Sequence, residues 1–337
     1  MNNHILLIET IKKQLNRIII SNAKTVMIST AICQSARFDM VTVFAVNLKM
    51  IKNLVEKYNN AANFFNHANE LGYIYPKFEI SSPVAKLNYD SFIELLKVAN
   101  PKENKNYKHI PFDTVALTSF EMMEDIFGDT IPITEYDNIY YMLGVNHGPD
   151  PFECNYIELN GKKIFAFDRL DTLDSIPCVG HESTHYLQDK YTLLLNGFHC
   201  EIMSMLVELI MVYELNKTNI DKYILSRNIN KTIKALQDLL KFIDESKELE
   251  TEFLSIPEYK PRTDLIKLHA EYMAYTYISS FIYAYNLFLR YKDNKTELLT
   301  NLRKVFSMCT SADMLISIYG IDFKDNKTFD DVITLIK

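Results

Sequence analysis

The spacing of apolar positions along the chain predicts a mainly helical protein. Residues 3–20 repeat apolar side chains with a period of about 3.6, and 38–70 continue in the same manner. Glycine and proline are scarce, with 8 and 10 copies, so few positions interrupt this pattern. Capping-box patterns at Ser91 and Thr118 place two short helices in the first half. The helices predicted after residue 70 span 91–99, 118–127, 176–195, 198–215, 219–247, 263–292, 295–309, 311–319 and 328–336.

One segment departs from the helical pattern. Residues 155–168, NYIELNGKKIFAFD, contain two alternating runs on either side of Asn160-Gly161, which is a strong hairpin signal. The predicted fold class is therefore mainly α with a small β element (α+β), in which a β-hairpin directly precedes the helix at 176–195. We divide the chain into a helical N-terminal region of unknown role, 1–130, and a second region, 131–337, with a soft boundary.

The most informative stretch is VGHESTHYLQDKY, residues 179–191. Pro177 suits the first turn of a helix, because its missing N–H group has no partner there in any case. His181 and His185 then lie one turn apart on one face, where two imidazoles can close on a single Zn²⁺ at about 2.0–2.1 Å. Gln188 and Asp189 follow at positions from which they could orient these histidines.

Glu182 lies beside the two histidines and outside their ligand geometry. A carboxylate at this position can take a proton from a zinc-bound water and pass it to a leaving amine. The competing interpretation is an amphipathic helix with two surface histidines. Apolar neighbours such as Val179 and Leu187 indicate partial burial, and two buried histidines without a shared ligand would be costly.

Composition and charge exclude several classes of protein. The net charge is −7 and basic residues are scattered, which argues against nucleic acid as a partner. Five cysteines without a CxxC motif indicate reduced thiols. The most apolar stretch, 25–48, contains Arg37 and Asp39, so we expect no membrane span. With no secretory signal visible, we expect a cytoplasmic protein, although export by a non-classical route stays open.

At these residues the sequence resembles the zincin metallopeptidases, specifically the gluzincin type. The resemblance rests on HESTH at 181–185, the preceding hairpin and a candidate downstream glutamate on a helix, and it covers roughly 155–290. It implies that His181, His185 and a third protein ligand hold zinc, with Glu182 as the general base. The longer motif HExxHxxGxxH is absent, which excludes a metzincin and leaves a carboxylate as the third ligand.

Three glutamates compete for the third position. Glu271 is favoured by the resemblance, because the pattern Glu271-x-x-Ala274 is similar to the third-ligand helix of several small gluzincin families. Glu208 has a geometric claim: if 176–195 and 198–215 form a helical hairpin, it stands level with His185 at 1.5 Å per residue. Glu201 lies nearer the turn, level with about residue 192. Both Glu201 and Glu208 lie in an apolar helix and need a partner.

These features together predict a zinc-dependent metallopeptidase. The peptide or protein substrate would add its backbone to the strand edge of the hairpin at 155–167. Tyr275 is a possible transition-state donor, since it would share a helix face with Glu271. Two alternatives remain: a non-catalytic helical interaction protein with structural zinc or none, and a zinc hydrolase acting on a non-peptide bond.

Overall fold

The structure is a computed structural model of the 337-residue chain. It describes residues 80, 82–102, 106–128, 139–143, 154–159, 162–167, 171–190, 197–254, 263–305 and 319–337. The helices predicted at 3–20 and 38–70 lie outside the described residues, as do the apolar stretch 25–48 and nearly all of the helix predicted at 311–319.

Eight helices and three strands lie within the described residues, which confirms a mainly α-helical protein with a small β element. The first two helices are α1 (Pro83–Val98) and α2 (Phe112–Phe127), and the strands β1 (Ile139–Leu143), β2 (Cys154–Leu159) and β3 (Lys162–Phe167) follow. The remaining helices are α3 (Ser175–Lys190), α4 (Gly197–Lys217), α5 (Ile224–Leu254), α6 (Thr263–Asp293), α7 (Lys295–Val305) and α8 (Asn326–Ile336).

The two capping boxes predicted the wrong helix starts. Helix α1 begins eight residues before Ser91, at Pro83, where Ser82 accepts a hydrogen bond from the backbone N–H of Ala85. Ser91 lies inside the helix and donates its hydroxyl to the carbonyl of Leu87. Thr118 likewise lies inside α2. Ser and Thr inside a helix can bond to their own preceding turn, so their presence alone does not mark a helix start.

The predicted hairpin is present, and a third strand extends it. Strands β2 and β3 are antiparallel with Leu159 paired to Lys162, and β1 runs parallel to β3 in the order β1-β3-β2. Strand β1 was not predicted, because its five residues, IYYML, are a short apolar run without alternation. The sheet places β2 against α3.

Helix α4 lies at the centre of the described fold and contacts α3, α5 and α6. Its apolar side chains are buried on all sides, as its sequence predicted: Ile202, Met205, Leu206, Leu209, Ile210 and Val212. Gly180 lets α3 approach α4 closely, since a Cβ atom there would lie 2.0 Å from Sδ of Met211. The fold thus holds the motif helix tightly against a helix that bears two partly buried glutamates, Glu201 and Glu208. Among the described helices, none is both long enough and apolar enough to cross a membrane.

Candidate metal centre

Helix α3 presents His181 and His185 on one face, as the spacing predicted. Their ring centroids are 5.1 Å apart with an angle of 70° between the planes. The side chains are largely shielded from solvent, with 16% and 19% of their surface exposed. The pair is therefore available to a small ligand without being a surface feature.

Glu201 on α4 faces both histidines. Its Oε2 atom lies 3.5 Å from Nε2 of His181, and its Oε1 atom lies 3.8 Å from Nε2 of His185. These three residues form the group of potential metal ligands found among the described residues, with ligand atoms within 4.8 Å of one another. Helices α3 and α4 thus bring two imidazoles and one carboxylate together from separate parts of the sequence.

The geometry and chemistry of this group fit zinc. Catalytic zinc sites use three protein ligands and leave a fourth position open, and two histidines with one glutamate are a known set. Ligands at about 2.1 Å from a tetrahedral ion lie about 3.4 Å from one another. The two distances from Glu201 to the histidines are close to that value, so small movements of the side chains would complete the site.

The other ring nitrogen of each histidine is already engaged. Nδ1 of His181 lies 3.1 Å from Oε2 of Glu208, and Nδ1 of His185 lies 3.0 Å from Oε1 of Gln188. Both partners are acceptors when Glu208 is ionised, so each Nδ1 carries the proton and donates it. When the rings are neutral, this tautomer leaves both Nε2 lone pairs free for a metal, which is the usual arrangement around ligand histidines. Gln188 therefore has the orienting position predicted for it.

Two further donors hold the carboxylate of Glu201. The hydroxyl of Tyr277 on α6 lies 3.0 Å from Oε1, and the hydroxyl of Ser204 lies 3.2 Å from Oε2. Sequence reasoning missed both residues. Ser204 follows Glu201 by three positions on the same helix, a local signal that could have been used, whereas Tyr277 is one of several tyrosines on α6 with no distinguishing pattern.

Charge and burial oppose each other at this site. Burial alone would lower the pKa of His181, but the hydrogen bonds that its ring donates to Glu201 and Glu208 outweigh burial and raise that pKa well above its usual value. Burial alone would raise the pKa of Glu201, yet the charge of His185 and the hydrogen bond with His181 lower it to about 2. The pKa of Glu208 is also lowered, because the hydrogen bond with His181 overcomes the effect of burial. The site therefore favours bound cationic charge.

Glu182 is buried beside the group and is not one of its members. Only 5% of the residue is exposed. Its negative charge contributes to the raised pKa of His181, so the carboxylate lies near the imidazole. Glu182 therefore lies next to the ligand group and outside it, and its role as a general base stays a prediction.

The structure does not bring Glu271 or Tyr275 into this group. Both are half-buried on α6, and the charge of Glu271 contributes to a pKa of Tyr275 that burial has already raised. The ring of Tyr275 lies 6.1 Å from that of Tyr89 on α1, and its carbonyl accepts a hydrogen bond from the Tyr89 hydroxyl. Of the three candidate glutamates, the structure places Glu201 and Glu208 at the histidines.

Comparisons with known proteins agree with this geometry at the level of the fold. No family model and no curated protein matches the sequence. The fold of this chain resembles that of a solved peptidase structure. The solved structure of PZ peptidase A with inhibitor 2 is similar, with a TM-score of 0.53, over 93% of this chain and 70% of that chain. The sequences are 11% identical, so this likeness concerns the fold alone.

Proposed function

We propose that the chain is a zinc-dependent peptidase in which His181, His185 and Glu201 hold the ion and Glu182 is the general base. The observation that supports this most directly is the approach of Glu201 to Nε2 of both histidines at 3.5 and 3.8 Å. Glu201 takes the role for which the sequence favoured Glu271, because it belongs to the ligand group and Glu271 does not.

The residues of the proposed site have separate roles. A bound zinc ion would supply Lewis acidity, polarising a peptide carbonyl and activating water. Glu182 takes the proton from the attacking water and delivers it to the leaving amine. The burial of Glu182 and the partial burial of the histidines reduce contact with bulk water, which strengthens each electrostatic interaction. The hydrogen bonds at Nδ1 hold both rings in orientations that would direct Nε2 toward a bound ion.

A peptide fits the strand arrangement beside the motif. In the described sheet β2 is an edge strand next to α3, and no other described strand pairs with its outer backbone groups, which an extended segment could therefore use. An added strand would form backbone hydrogen bonds irrespective of its side chains. Such binding would present the peptide backbone, rather than a particular side chain, to the metal centre.

Zinc analysis combined with a peptide digest tests this proposal. The purified protein should contain about one zinc per chain, and His185→Ala should lose most of it. An unbiased peptide library should be cleaved by the wild type and not by Glu182→Gln, which keeps its zinc. The matched control is Glu94→Gln, because Glu94 is 72% exposed on α1 and lies outside the metal group. It should cleave like the wild type.

Three outcomes would contradict the proposal in different ways. Full zinc retention in His185→Ala would remove the metal assignment. Undiminished turnover in Glu182→Gln would remove the general base. A zinc protein that cleaves no peptide in the library would point to a non-peptide bond or to a structural ion.

A further inference from the structure

The two histidines are oriented in different ways. His185 is held from within its own helix, since Gln188 follows it by three residues. His181 is held by Glu208, which belongs to α4. The orientation of His181 therefore depends on how a second helix presents a carboxylate, and that carboxylate must itself be fixed.

Asn228 on α5 fixes the other oxygen of this carboxylate. Its Nδ2 atom donates a hydrogen bond of 2.6 Å to Oε1 of Glu208, while Oε2 faces Nδ1 of His181. Each oxygen of Glu208 thus has its own donor, which defines the rotation of the carboxylate plane. A carboxylate bonded at one oxygen only would be free to turn about its last torsion.

The amide of Asn228 is held with its donor toward the site. Asn228 is 7% exposed, and its Oδ1 atom is buried without a hydrogen-bond partner among the described residues. The reversed amide would place this oxygen against the carboxylate of Glu208 and leave two acceptors in contact. The unpartnered oxygen has a free-energy cost, which the charge-assisted bond to Glu208 offsets.

The neighbouring residue anchors the same turn of α5 to the start of α3. Arg227 forms two hydrogen bonds to Asp174, at 3.0 and 2.6 Å, and one to Asp221 at 2.8 Å. Asp174 directly precedes Ser175, the first residue of α3. Two adjacent residues of α5 thus contact two helices of the site, Asn228 through Glu208 on α4 and Arg227 through the start of α3.

We propose that Asn228 is a positioning residue, which acts on zinc binding by holding the carboxylate that orients His181. This rests on the proposed function only in requiring that His181 be a zinc ligand. Asn228 is bonded to Glu208 and is not a member of the ligand group, so its effect passes through Glu208. Loss of a residue that hydrogen-bonds to a ligand histidine weakens metal binding by about 10- to 100-fold. Asn228 bonds to such a residue rather than to the histidine itself, so we expect its loss to weaken binding by about tenfold or less.

A double-mutant cycle on zinc affinity tests the proposal. Zinc dissociation constants are measured by competition with a chelator for the wild type, Asn228→Ala, Glu208→Ala and the double variant. Asn228→Ala should weaken zinc binding by about three- to tenfold in the wild-type background and should have no further effect once Glu208 is alanine. Equal losses in both backgrounds would show a general structural role and overturn the proposal, as would wild-type affinity in Asn228→Ala.

Two further variants keep the test decisive if Asn228→Ala folds poorly. Asn228→Asp has nearly the same size, yet it places a second carboxylate against Glu208 and should weaken zinc binding more strongly; unchanged affinity would overturn the proposal. Asn286→Ala is the matched control, because this α6 amide bonds to the carbonyls of Ile282 and Thr328. It should leave zinc affinity unchanged, and a loss equal to that of Asn228→Ala would overturn the proposal.

The wild-type measurement separates this proposal from the one on which it rests. A wild type that does not bind zinc overturns the proposed function, and the assignment of Asn228 with it. A wild type that binds zinc tightly, together with an Asn228 variant that binds equally well, overturns the positioning role alone.

Discussion

The Oε2 atom of Glu201 lies 3.5 Å from the Nε2 atom of His181, although the two residues belong to different helices. The contact exists because α3 and α4 pack closely, with Gly180 facing Met211. It also defines the direction in which His181 points, since the opposite nitrogen bonds to Glu208.

Replacement of each of the three candidate glutamates by alanine should have a clearly different effect on zinc affinity. Glu201→Ala should weaken zinc binding by orders of magnitude, because it removes a ligand. Glu208→Ala should weaken it by about 10- to 100-fold, because it removes the partner of a ligand histidine. Glu271→Ala should bind zinc like the wild type. The measurement is chelator competition, with thermal unfolding as a check on folding, and a large loss of zinc in Glu271→Ala alone would restore the assignment based on sequence resemblance.

The sequence was sufficient for the part of the site that is local. His181, Glu182 and His185 lie on one helix, so the helical period alone fixes their relative positions. The hairpin before them was also local, because Asn160-Gly161 marks its turn. For the same reason α6 was predicted to within a residue, at 263–292 against Thr263–Asp293.

The third ligand was harder to predict from the sequence, because its position depends on how two helices pack. The sequence-based estimate compared positions along the helices 176–195 and 198–215 as if these were ideal antiparallel rods. It therefore placed Glu201 too far from the histidines. The actual contact depends on how closely α4 approaches α3 at Gly180, which no periodicity describes. The useful signal was physical: Glu201 and Glu208 lie in a helix that is apolar on all sides, and buried carboxylates need partners.

Tyr277→Phe should weaken zinc binding without unfolding the protein. The hydroxyl donates to Oε1 of Glu201 at 3.0 Å, so its loss leaves that oxygen less well fixed. We expect an effect of up to about tenfold on the zinc dissociation constant. The matched control is Tyr285→Phe, a half-buried tyrosine on the same helix whose ring contacts Phe281 and Phe288. Unchanged zinc affinity with reduced turnover would instead assign Tyr277 to the substrate.

The stability of the metal-free protein should depend on pH through His181 and Glu201. The pKa of His181 is raised well above 6.5, so its contribution is complete below about pH 6.5 and is lost as pH rises through the folded value. The pKa of Glu201 is lowered from 4.5 to about 2, so its contribution is present above about pH 4.5 and is lost as pH falls. Urea unfolding in the presence of chelator measures this effect. The free energies of unfolding of the wild type and His181→Gln should differ most from about pH 4.5 to about pH 6.5.

Zinc affinity should change with pH in the opposite direction to the contribution of His181 to stability, which is lost as pH rises. A histidine must be neutral to bind a metal, so zinc binding releases the proton of His181. Zinc affinity should therefore increase with pH until the pKa of His181 in the metal-free protein is passed. The measurement compares zinc affinity at about pH 6 and about pH 8, on either side of the usual histidine pKa of about 6.5. Equal affinities would show that His181 is already neutral in the metal-free protein.

Removal of the Arg227 guanidinium should destabilise the fold far more than removal of an exposed cation on the same helix. The side chain of Arg227 is 4% exposed and bonds to Asp174 and Asp221, which are 13% and 11% exposed. Arg227→Met leaves two shielded carboxylates without their cation, and breaking such a buried pair costs about 3–5 kcal/mol. Lys234→Met is the control, because Lys234 and its partner Asp238 are about half exposed, and this change should cost less than about 1 kcal/mol. Urea unfolding of both variants in chelator measures the difference at the fold, without a contribution from zinc. If the two variants lose similar free energies of unfolding, the Arg227–Asp174 contact does not anchor the start of α3, and the ordered position of the motif helix must come from its apolar contacts with α4.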